Sequence, residues 1–163
     1  WYKGQSYFDI LDILKENVSH PNMMSYEFKG YVRSINDVPG YMAANLDLLN
    51  EKVIKELFMS DRRIKTKIQD SHPAKYLEGS DVKESMIATG CIIEGKIEKS
   101  IVFRDCRIEK GAKVKNCVIM ANTQIGKNAI VENCIFDKYT RIEEGEKIIG
   151  TIKNPIIIEN RKV

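Results

Sequence analysis

The 163-residue chain is poor in histidine and has no long apolar run, and both absences exclude classes of protein. It contains two histidines, and its four cysteines form neither a CxxC pair nor a Cys/His cluster, so we expect no metal site and no disulfide framework. No apolar run approaches the roughly 18 residues of a membrane span, and no basic-then-apolar leader is present. The sequence therefore predicts a cytoplasmic protein with reduced, buried thiols.

A strong charge of one sign is also missing, because 26 basic and 23 acidic residues leave a net charge of +3. This small excess lies in the second half of the chain, and it is too dilute for a dedicated nucleic-acid-binding protein. The apolar fraction of 43% is that of a folded chain. The first residue is Trp1 rather than Met, so we expect a fragment of a larger protein.

A repeat of about 17 residues fills the second half of the chain. Aliphatic anchors recur at steps of six, five and six residues, with a small side chain two residues before nearly every anchor. The anchors are Cys91, Ile97, Val102, Ile108, Val114, Ile119, Ile125, Val131, Phe136, Ile142 and Ile148. Because strands alternate faces with period two, anchor and small residue both point inward. Three short strands per turn then predict a mainly β fold over residues 76–163, the hexapeptide-repeat parallel β-helix, whose known members are left-handed.

The corners and the cysteines fit this coil. Asn116, Asn133 and Gly150 recur at one corner, where the backbone requires a residue that tolerates positive φ. Three of the cysteines occupy the small inward position and Cys91 occupies an anchor position, so we interpret all four as packing residues.

The residues immediately before the anchors point outward and differ among the three faces. Two faces are mostly polar or basic: one carries Lys96, Lys113 and Lys147, and the other carries Arg107, Gln124 and Arg141. The third face carries four aliphatic residues: Met86, Ile101, Val118 and Ile135. Such a ladder predicts a docking surface, and its partner could be the N-terminal segment, another domain of a longer protein, or another subunit.

The first half of the chain reads as an α/β remnant over residues 1–59, followed by a polar linker over residues 60–75. A capping box at Ser6-Tyr7-Phe8-Asp9 predicts a helix, and the alternation of Met24, Tyr26 and Phe28 predicts a strand. Asp37 before Val38-Pro39 predicts a second helix, and Asn50 caps a third.

Residues 26–49 resemble the end of the nucleotidyltransferase domain in the ADP-glucose pyrophosphorylase (glucose-1-phosphate adenylyltransferase) family. Gly30-Tyr31 and Ala44-Asn45-Leu46-Asp47-Leu48 match its motifs, and residues 63–66 and 73–76 resemble its linker into a C-terminal left-handed β-helix. The resemblance implies a parent that uses Mg²⁺ and helps make ADP-glucose from ATP and glucose 1-phosphate for glycogen biosynthesis.

Three departures from the family pattern matter for catalysis: Val32, Ser34 and Asn36 replace its Trp, Asp and Gly. Ser34 stands where the family's Asp holds magnesium, and a neutral hydroxyl is a poor ligand for a hard cation. This resembles the regulatory-type second subunit, the glycogen biosynthesis protein D type, which partners a catalytic subunit. We therefore expect no catalytic residue and no cofactor in this chain, unless Asp37 takes over the metal. The family's nucleotide loop is expected in a missing N-terminal domain.

Alternative functions remain open at this point. A hexapeptide-repeat acyltransferase would use a histidine at the coil as general base, but His20 and His72 both precede the repeats. A pure oligomerisation module, forming a homo-oligomer, is compatible with the first hypothesis. A sugar-phosphate or nucleotide effector could bind one of two basic clusters. These are Arg62, Arg63, Lys65 and Lys67, or Arg104, Arg107, Lys110 and Lys113.

Overall fold

The structure, a computed structural model, describes residues 10–59, 61, 64–65 and 70–160. Contacts divide the chain into two compact units, Trp1–Gly30 and Tyr31–Val163. Residues 31–59 thus belong to the same compact unit as the repeats. The domain boundaries predicted from the sequence at residues 59, 60 and 75 stay predictions. Within the described residues, no helix combines the length and the apolar character needed to cross a bilayer.

Among its described residues, the first unit contains one helix, α1 (Ile10–Glu16), followed by turns. The capping box at residues 6–9 lies outside the described residues. The strand predicted at Met24, Tyr26 and Phe28 is wrong, because residues 23–29 are irregular and all three side chains are exposed. A strand needs a hydrogen-bonded neighbour, and the part of this unit that the structure describes supplies none.

The second unit begins with two helices whose caps agree with the sequence. Helix α2 (Val38–Leu46) starts at Asp37, whose carboxylate accepts a hydrogen bond from the Gly40 amide at 2.7 Å. A short 3₁₀ helix (Asp47–Leu49) leads to α3 (Glu51–Phe58), where the Asn50 side chain accepts from the Lys52 amide at 2.9 Å. Both predicted helix starts are confirmed.

Fifteen short strands follow and stack into three parallel sheets. The strands are β1 (Lys75–Tyr76), β2 (Asp81–Lys83), β3 (Met86–Ile87), β4 (Ile92–Ile93), β5 (Lys96–Glu98), β6 (Ile101–Val102), β7 (Arg107–Ile108), β8 (Lys113–Lys115), β9 (Val118–Ile119), β10 (Gln124–Ile125), β11 (Ile130–Glu132), β12 (Cys134–Phe136), β13 (Arg141–Ile142), β14 (Lys147–Ile149) and β15 (Ile156–Ile158). Sheet A is β1-β4-β7-β10-β13, sheet B is β2-β5-β8-β11-β14, and sheet C is β3-β6-β9-β12-β15. Each strand pairs with the strand that comes three strands later in the chain. Residues 75–158 therefore form the predicted parallel β-helix of the hexapeptide type, consistent with the left-handed form.

The strand register corrects the position predicted for Cys91. Ile93 pairs with Ile108, so Cys91 lies two residues before the anchor Ile93 and shares the small inward position with Cys106. A constant 17-residue period places the anchor before Ile108 at Cys91. The coil from Ile93 to Ile108 has only 15 residues, because its first two anchors, Ile93 and Ile97, are four residues apart instead of six. Gly95 occupies the shortened corner.

The core runs along the axis of the β-helix and consists of the inward anchors and small residues. Phe136 and the aliphatic anchors from Ile93 to Ile142 are buried, and so are all four cysteines. At the predicted corner, Asn116 and Asn133 have φ of 54° and 52°, as expected, but Gly150 does not adopt positive φ. Glycine is required at position 150 for lack of space, because a Cβ there would lie 2.6 Å from the carbonyl oxygen of Asn133.

Candidate functional site: the outer face of sheet C

The outward ladder of sheet C is apolar along its whole length, but only its middle is covered. In-register pairing aligns the four predicted residues and extends the row to Ile157 on β15. Ile101, Val118 and Ile135 are buried, at 5%, 0% and 5% exposure, whereas Met86 and Ile157 at the two ends are 37% and 49% exposed. Sequence reasoning missed Ile157 because it follows Ile135 by 22 residues, outside the 17-residue period.

Helix α2 covers the middle of this ladder. Met42, Val118 and Ile135 form a buried apolar cluster. Three partly buried side chains of α2 pack against that cluster: Val38, Tyr41 and Leu46. Of the three partners that the sequence left open, the structure places a segment N-terminal to the repeats on Val118 and Ile135. The chemistry of this contact is ordinary core packing, which fixes α2 relative to the β-helix.

Beyond α2, an open groove of about 510 Å³ runs toward the last strand of sheet C. Its floor is apolar, with Ile135 and Ile157, and its rim carries three carboxylates, Asp37, Asp137 and Glu159. The remaining lining residues are Ile35, Asn36, Val38, Tyr41 and Met120. Among the described lining residues there is no lysine or arginine, so this part of the groove suits an apolar or cationic group better than a phosphate.

The two matched family motifs meet each other beside α2. The Tyr31 hydroxyl donates a hydrogen bond to Asp47 at 2.8 Å, and the Arg33 guanidinium lies 3.5 Å from the same carboxylate. The Tyr31 amide donates to the Glu56 carboxylate at 2.5 Å. Burial, followed by the hydrogen bond to Asp47 and its negative charge, raises the pKa of Tyr31, and Arg33 opposes the shift. Asp47 thus holds the segment that carries Ser34.

The residues around Ser34 do not fit a magnesium ion. Ser34 is exposed in irregular backbone, and one Asp37 oxygen is engaged in capping α2. Across the described part of the chain, no group of three His, Cys, Asp or Glu side chains is arranged to hold a metal. Hard cations need several anionic or carbonyl oxygens, so no step of phosphoryl transfer is assigned to this segment.

Of the two predicted effector-binding clusters, the structure describes the second in full but only one residue of the first. Arg62, Arg63 and Lys67 lie outside the described residues, and Lys65 is exposed. In the second cluster Arg107 lies 3.5 Å from Glu94 and 3.6 Å from Glu109, so carboxylates already neutralise the guanidinium. Neither cluster shows a preformed anion site within the described residues, and effector binding stays a prediction.

The remaining candidate nucleophiles and bases are His72 and the cysteines. His72 is exposed and borders an open cavity of about 430 Å³ with Asp70, Ser71 and Asp105. The Cys106 thiol is buried, and its hydrogen bond with Cys91 together with burial raises its pKa far above the ordinary value. Burial likewise raises the pKa of Cys117. The hydrogen bonds with Cys106 and Cys117 lower the pKa of Cys91 and Cys134 instead. All four thiols are buried in the core of the β-helix, so we assign them to packing.

Comparison with known proteins agrees with the β-helix and with the matched motifs. Residues 72–154 match the family model described as GlmU-like, C-terminal hexapeptide. Over 157 residues the chain is 36% identical to the glycogen biosynthesis protein GlgD of Bacillus subtilis (strain 168), covering 96% of this chain and 46% of that protein. It is 37% identical to GlgD of Geobacillus stearothermophilus, covering 69% of this chain and 33% of that protein.

A glucose-1-phosphate adenylyltransferase is also similar to this chain. That of Fusobacterium nucleatum subsp. nucleatum is 35% identical over 56% of this chain and 24% of its own length. The matches fall in the C-terminal regions of these relatives, which confirms the resemblance carried by residues 26–49. The chain spans less than half the length of these relatives and corresponds to a part of larger proteins.

Proposed function

Since the chain belongs to the GlmU-like, C-terminal hexapeptide family, we propose that it is the regulatory and assembly part of a glucose-1-phosphate adenylyltransferase-type subunit. The reaction of a glucose-1-phosphate adenylyltransferase makes ADP-glucose from ATP and glucose 1-phosphate, and the proposed role is in glycogen biosynthesis. The proposed partners are a catalytic pyrophosphorylase subunit, further copies of the chain, and an N-terminal nucleotidyltransferase domain. A sugar-phosphate or nucleotide effector and a cytoplasmic location belong to the same proposal.

The seating of α2 on sheet C is the observation that carries this proposal. Helix α2 bears the first part of the A-N-x-D-L motif, and Met42 of the same helix is buried against Val118 and Ile135. Asp47, at the end of that motif, holds Tyr31 and Arg33. These contacts connect the β-helix to the motif segment through packed side chains, and this connection supports the proposed regulatory role.

The non-catalytic character of the subunit is proposed from the side chain at position 34. The exposed Ser34 hydroxyl cannot replace an anionic metal ligand, and the neighbouring Asp37 already accepts the Gly40 amide. We propose that the catalytic subunit binds the magnesium of the reaction and that this chain changes its activity by binding to it.

The test mixes the chain with the catalytic glucose-1-phosphate adenylyltransferase of the same organism and follows ADP-glucose formation. We expect no ADP-glucose from the chain alone, and a changed turnover number or effector response of the catalytic subunit in the mixture. Met42→Ala, which weakens the α2 contact, should reduce this change, whereas the exposed Met59→Ala should not.

Two results would contradict the proposal. One is an unchanged catalytic subunit at saturating amounts of the chain. The other is robust synthesis by the chain, or by a longer protein that contains it, that is lost on Asp37→Asn but kept on Ser34→Ala. That second result would mean that Asp37 has taken over the metal and that the subunit is an enzyme in its own right.

A further inference from the structure

We propose that Cys117 and Cys134 form a reversible oxidation site: hydrogen peroxide converts the two thiols into a disulfide inside the β-helix, and this bond loosens the contact of helix α2 with sheet C. The proposal goes beyond the proposed function and does not rest on it. It gives a chemical role to two side chains that pack the core in the reduced protein.

Strand pairing places the two cysteines side by side. Val118 pairs in register with Ile135, so Cys117 and Cys134, one residue earlier, are neighbours on the inner face of sheet C. Parallel neighbours lie about 4.8 Å apart, within the roughly 4.4–6.8 Å that separates the Cα atoms of a disulfide. Both thiols are buried and hydrogen-bond each other. The two sulfur atoms can therefore be linked without any change of strand pairing.

The two thiols differ in a way that suits stepwise oxidation. The hydrogen bond with Cys117 lowers the pKa of Cys134. Burial, followed by the hydrogen bond with Cys134, raises the pKa of Cys117. The thiolate is the form that attacks a peroxide, so Cys134 is the sulfur that is oxidised first. Cys117 is then in place as the thiol that completes the disulfide.

Cys134 lies one coil from the last coil that the structure describes. Its sulfur is 3.5 Å from the carbonyl oxygen of Ile148 in that last coil. The half-buried side chains of Ile148 and Ile158 line a cavity of about 820 Å³ at this end of the described β-helix. Hydrogen peroxide is little larger than water, so local opening of this one coil admits it to Cys134.

The oxidation is a balanced two-electron reaction. The Cys134 thiolate attacks one oxygen of hydrogen peroxide, the O–O bond breaks, and the released hydroxide takes up a proton and leaves as water. The Cys117 sulfur then attacks the sulfur of the sulfenic acid, so that an S–S bond forms and the S–O bond breaks. The hydroxyl group leaves with the Cys117 proton as a second water. Two thiols are oxidised and one peroxide is reduced, and an added dithiol reverses the reaction.

The outer faces of the same two strands carry helix α2. Val118 and Ile135 directly follow the cysteines and form a buried cluster with Met42. The Cβ atoms of a disulfide lie about 3.5–4.5 Å apart, closer than the roughly 4.8 Å between neighbouring strands. Because successive side chains point to opposite faces, drawing the cysteines together on the inside turns Val118 and Ile135 apart on the outside. We therefore expect the disulfide to loosen the packing of Met42.

The chain contains a second cysteine pair that serves as a comparison. Ile92 pairs with Arg107, so Cys91 and Cys106 are neighbours on the inner face of sheet A in the same way. Neither Ile92 nor Arg107 belongs to the buried cluster beneath α2. Oxidation of this second pair should therefore leave α2 unchanged.

The experiment treats two double variants of the 163-residue chain with hydrogen peroxide and measures the intact mass without reductant. Cys91→Ser/Cys106→Ser keeps only the proposed pair, and Cys117→Ser/Cys134→Ser removes it. Serine fits the inward position, because Ser100 occupies it one coil before Cys117 and is buried with its hydroxyl bonded to the Glu98 carbonyl at 2.8 Å.

The variant that keeps the proposed pair should lose the mass of two hydrogen atoms, and dithiothreitol should restore it. Peptide mapping separates this disulfide from oxygen added to methionine. After oxidation, the amides of α2 should exchange with solvent at least about threefold faster. The variant that lacks the pair should show unchanged exchange in α2 after the same treatment.

Four outcomes overturn the proposal. They are a pair that stays reduced in the folded chain, thiols that gain oxygen without forming a disulfide, a disulfide that forms only in urea, and a disulfide that leaves exchange in α2 unchanged or slower. None of these measurements involves ADP-glucose formation, so the oxidation site is tested separately from the proposed function.

Discussion

Tyr31 donates a hydrogen bond through its hydroxyl to the Asp47 carboxylate at 2.8 Å, and this contact joins two motifs that lie 16 residues apart. Asp47 also faces the guanidinium of Arg33 at 3.5 Å, so one carboxylate holds both ends of the segment just before Ser34. The contact explains why Tyr31 and Asp47 occur together in this sequence: each is half-buried and needs the other's polar atom.

Removal of that hydroxyl should loosen the segment. Tyr31→Phe should lower the free energy of unfolding by about 1–2 kcal/mol, because a hydrogen bond to a charged acceptor is lost while the ring keeps its packing. Urea unfolding followed by circular dichroism measures the difference. Tyr26→Phe is the matched control, since Tyr26 is exposed and should give no change. Equal effects of the two substitutions would mean that the Asp47 contact contributes nothing.

The same contact predicts a loss of stability at alkaline pH. The pKa of Tyr31 is raised in the folded protein, chiefly by burial and then by Asp47, so the folded state holds this proton more tightly than the unfolded chain. Its contribution is present in full below the ordinary tyrosine pKa of about 10 and is lost as the pH rises through the folded value. The unfolding midpoint of Tyr31→Phe should therefore fall less than that of the original chain above about pH 10. If the unfolding midpoints of the two proteins fell in parallel above this pH, the raised pKa of Tyr31 would be contradicted.

Much of the β-helix could be predicted from the sequence because its determinants are local. Alternation within short strands and a small residue before each anchor fix which side chains point inward, and sheets A, B and C follow from that period. The cap residues Asp37 and Asn50 are equally local, since each bonds an amide two or three residues away. These predictions required no knowledge of distant contacts.

The features that the sequence did not predict are those that break the period or depend on tertiary packing. The coil containing Gly95 is two residues shorter than the 17-residue coils that follow it, so the position predicted for Cys91 is wrong. The last coil is longer, so Ile157 and the groove beside it were missed. The apolar ladder predicted a docking surface, but only the structure shows that Met42 of α2 covers its middle, because no local pattern specifies which residues meet across 76 positions of sequence.

The covering of sheet C by α2 should be separable from the folding of the β-helix. Met42→Ala removes a buried side chain and should destabilise the α2 contact by about 2–3 kcal/mol, since the cavity lies between helix and sheet. Native-state hydrogen exchange should then show faster exchange in α2, while strands such as β11 keep their protection. Met59→Ala, at a site that is 71% exposed, is the control. Loss of protection throughout the β-helix would show that α2 and the coils unfold as one unit.

The shortened corner makes Gly95 a position that accepts no side chain. A Cβ on Gly95 would lie 2.6 Å from the carbonyl oxygen of Ala112 and 2.9 Å from that of Glu109. Both atoms belong to corner backbone that is held by hydrogen bonds, because the Ala112 carbonyl accepts from the Lys96 amide and the Glu109 carbonyl accepts from the Ala112 amide. Gly95→Ala should therefore destabilise the β-helix by about 1–3 kcal/mol in urea unfolding.

Gly145 provides the matched control for this substitution. It has a φ of +71° in open space, and Asn128 occupies the corresponding corner one coil earlier with a φ of 56°. Gly145→Asn should therefore be nearly neutral, because asparagine tolerates the left-handed backbone region. If Gly95→Ala were as harmless as Gly145→Asn, the neighbouring coils would have to move apart at the short corner. The in-register pairing of Lys96 with Lys113 would then be the first contact to show it in hydrogen exchange.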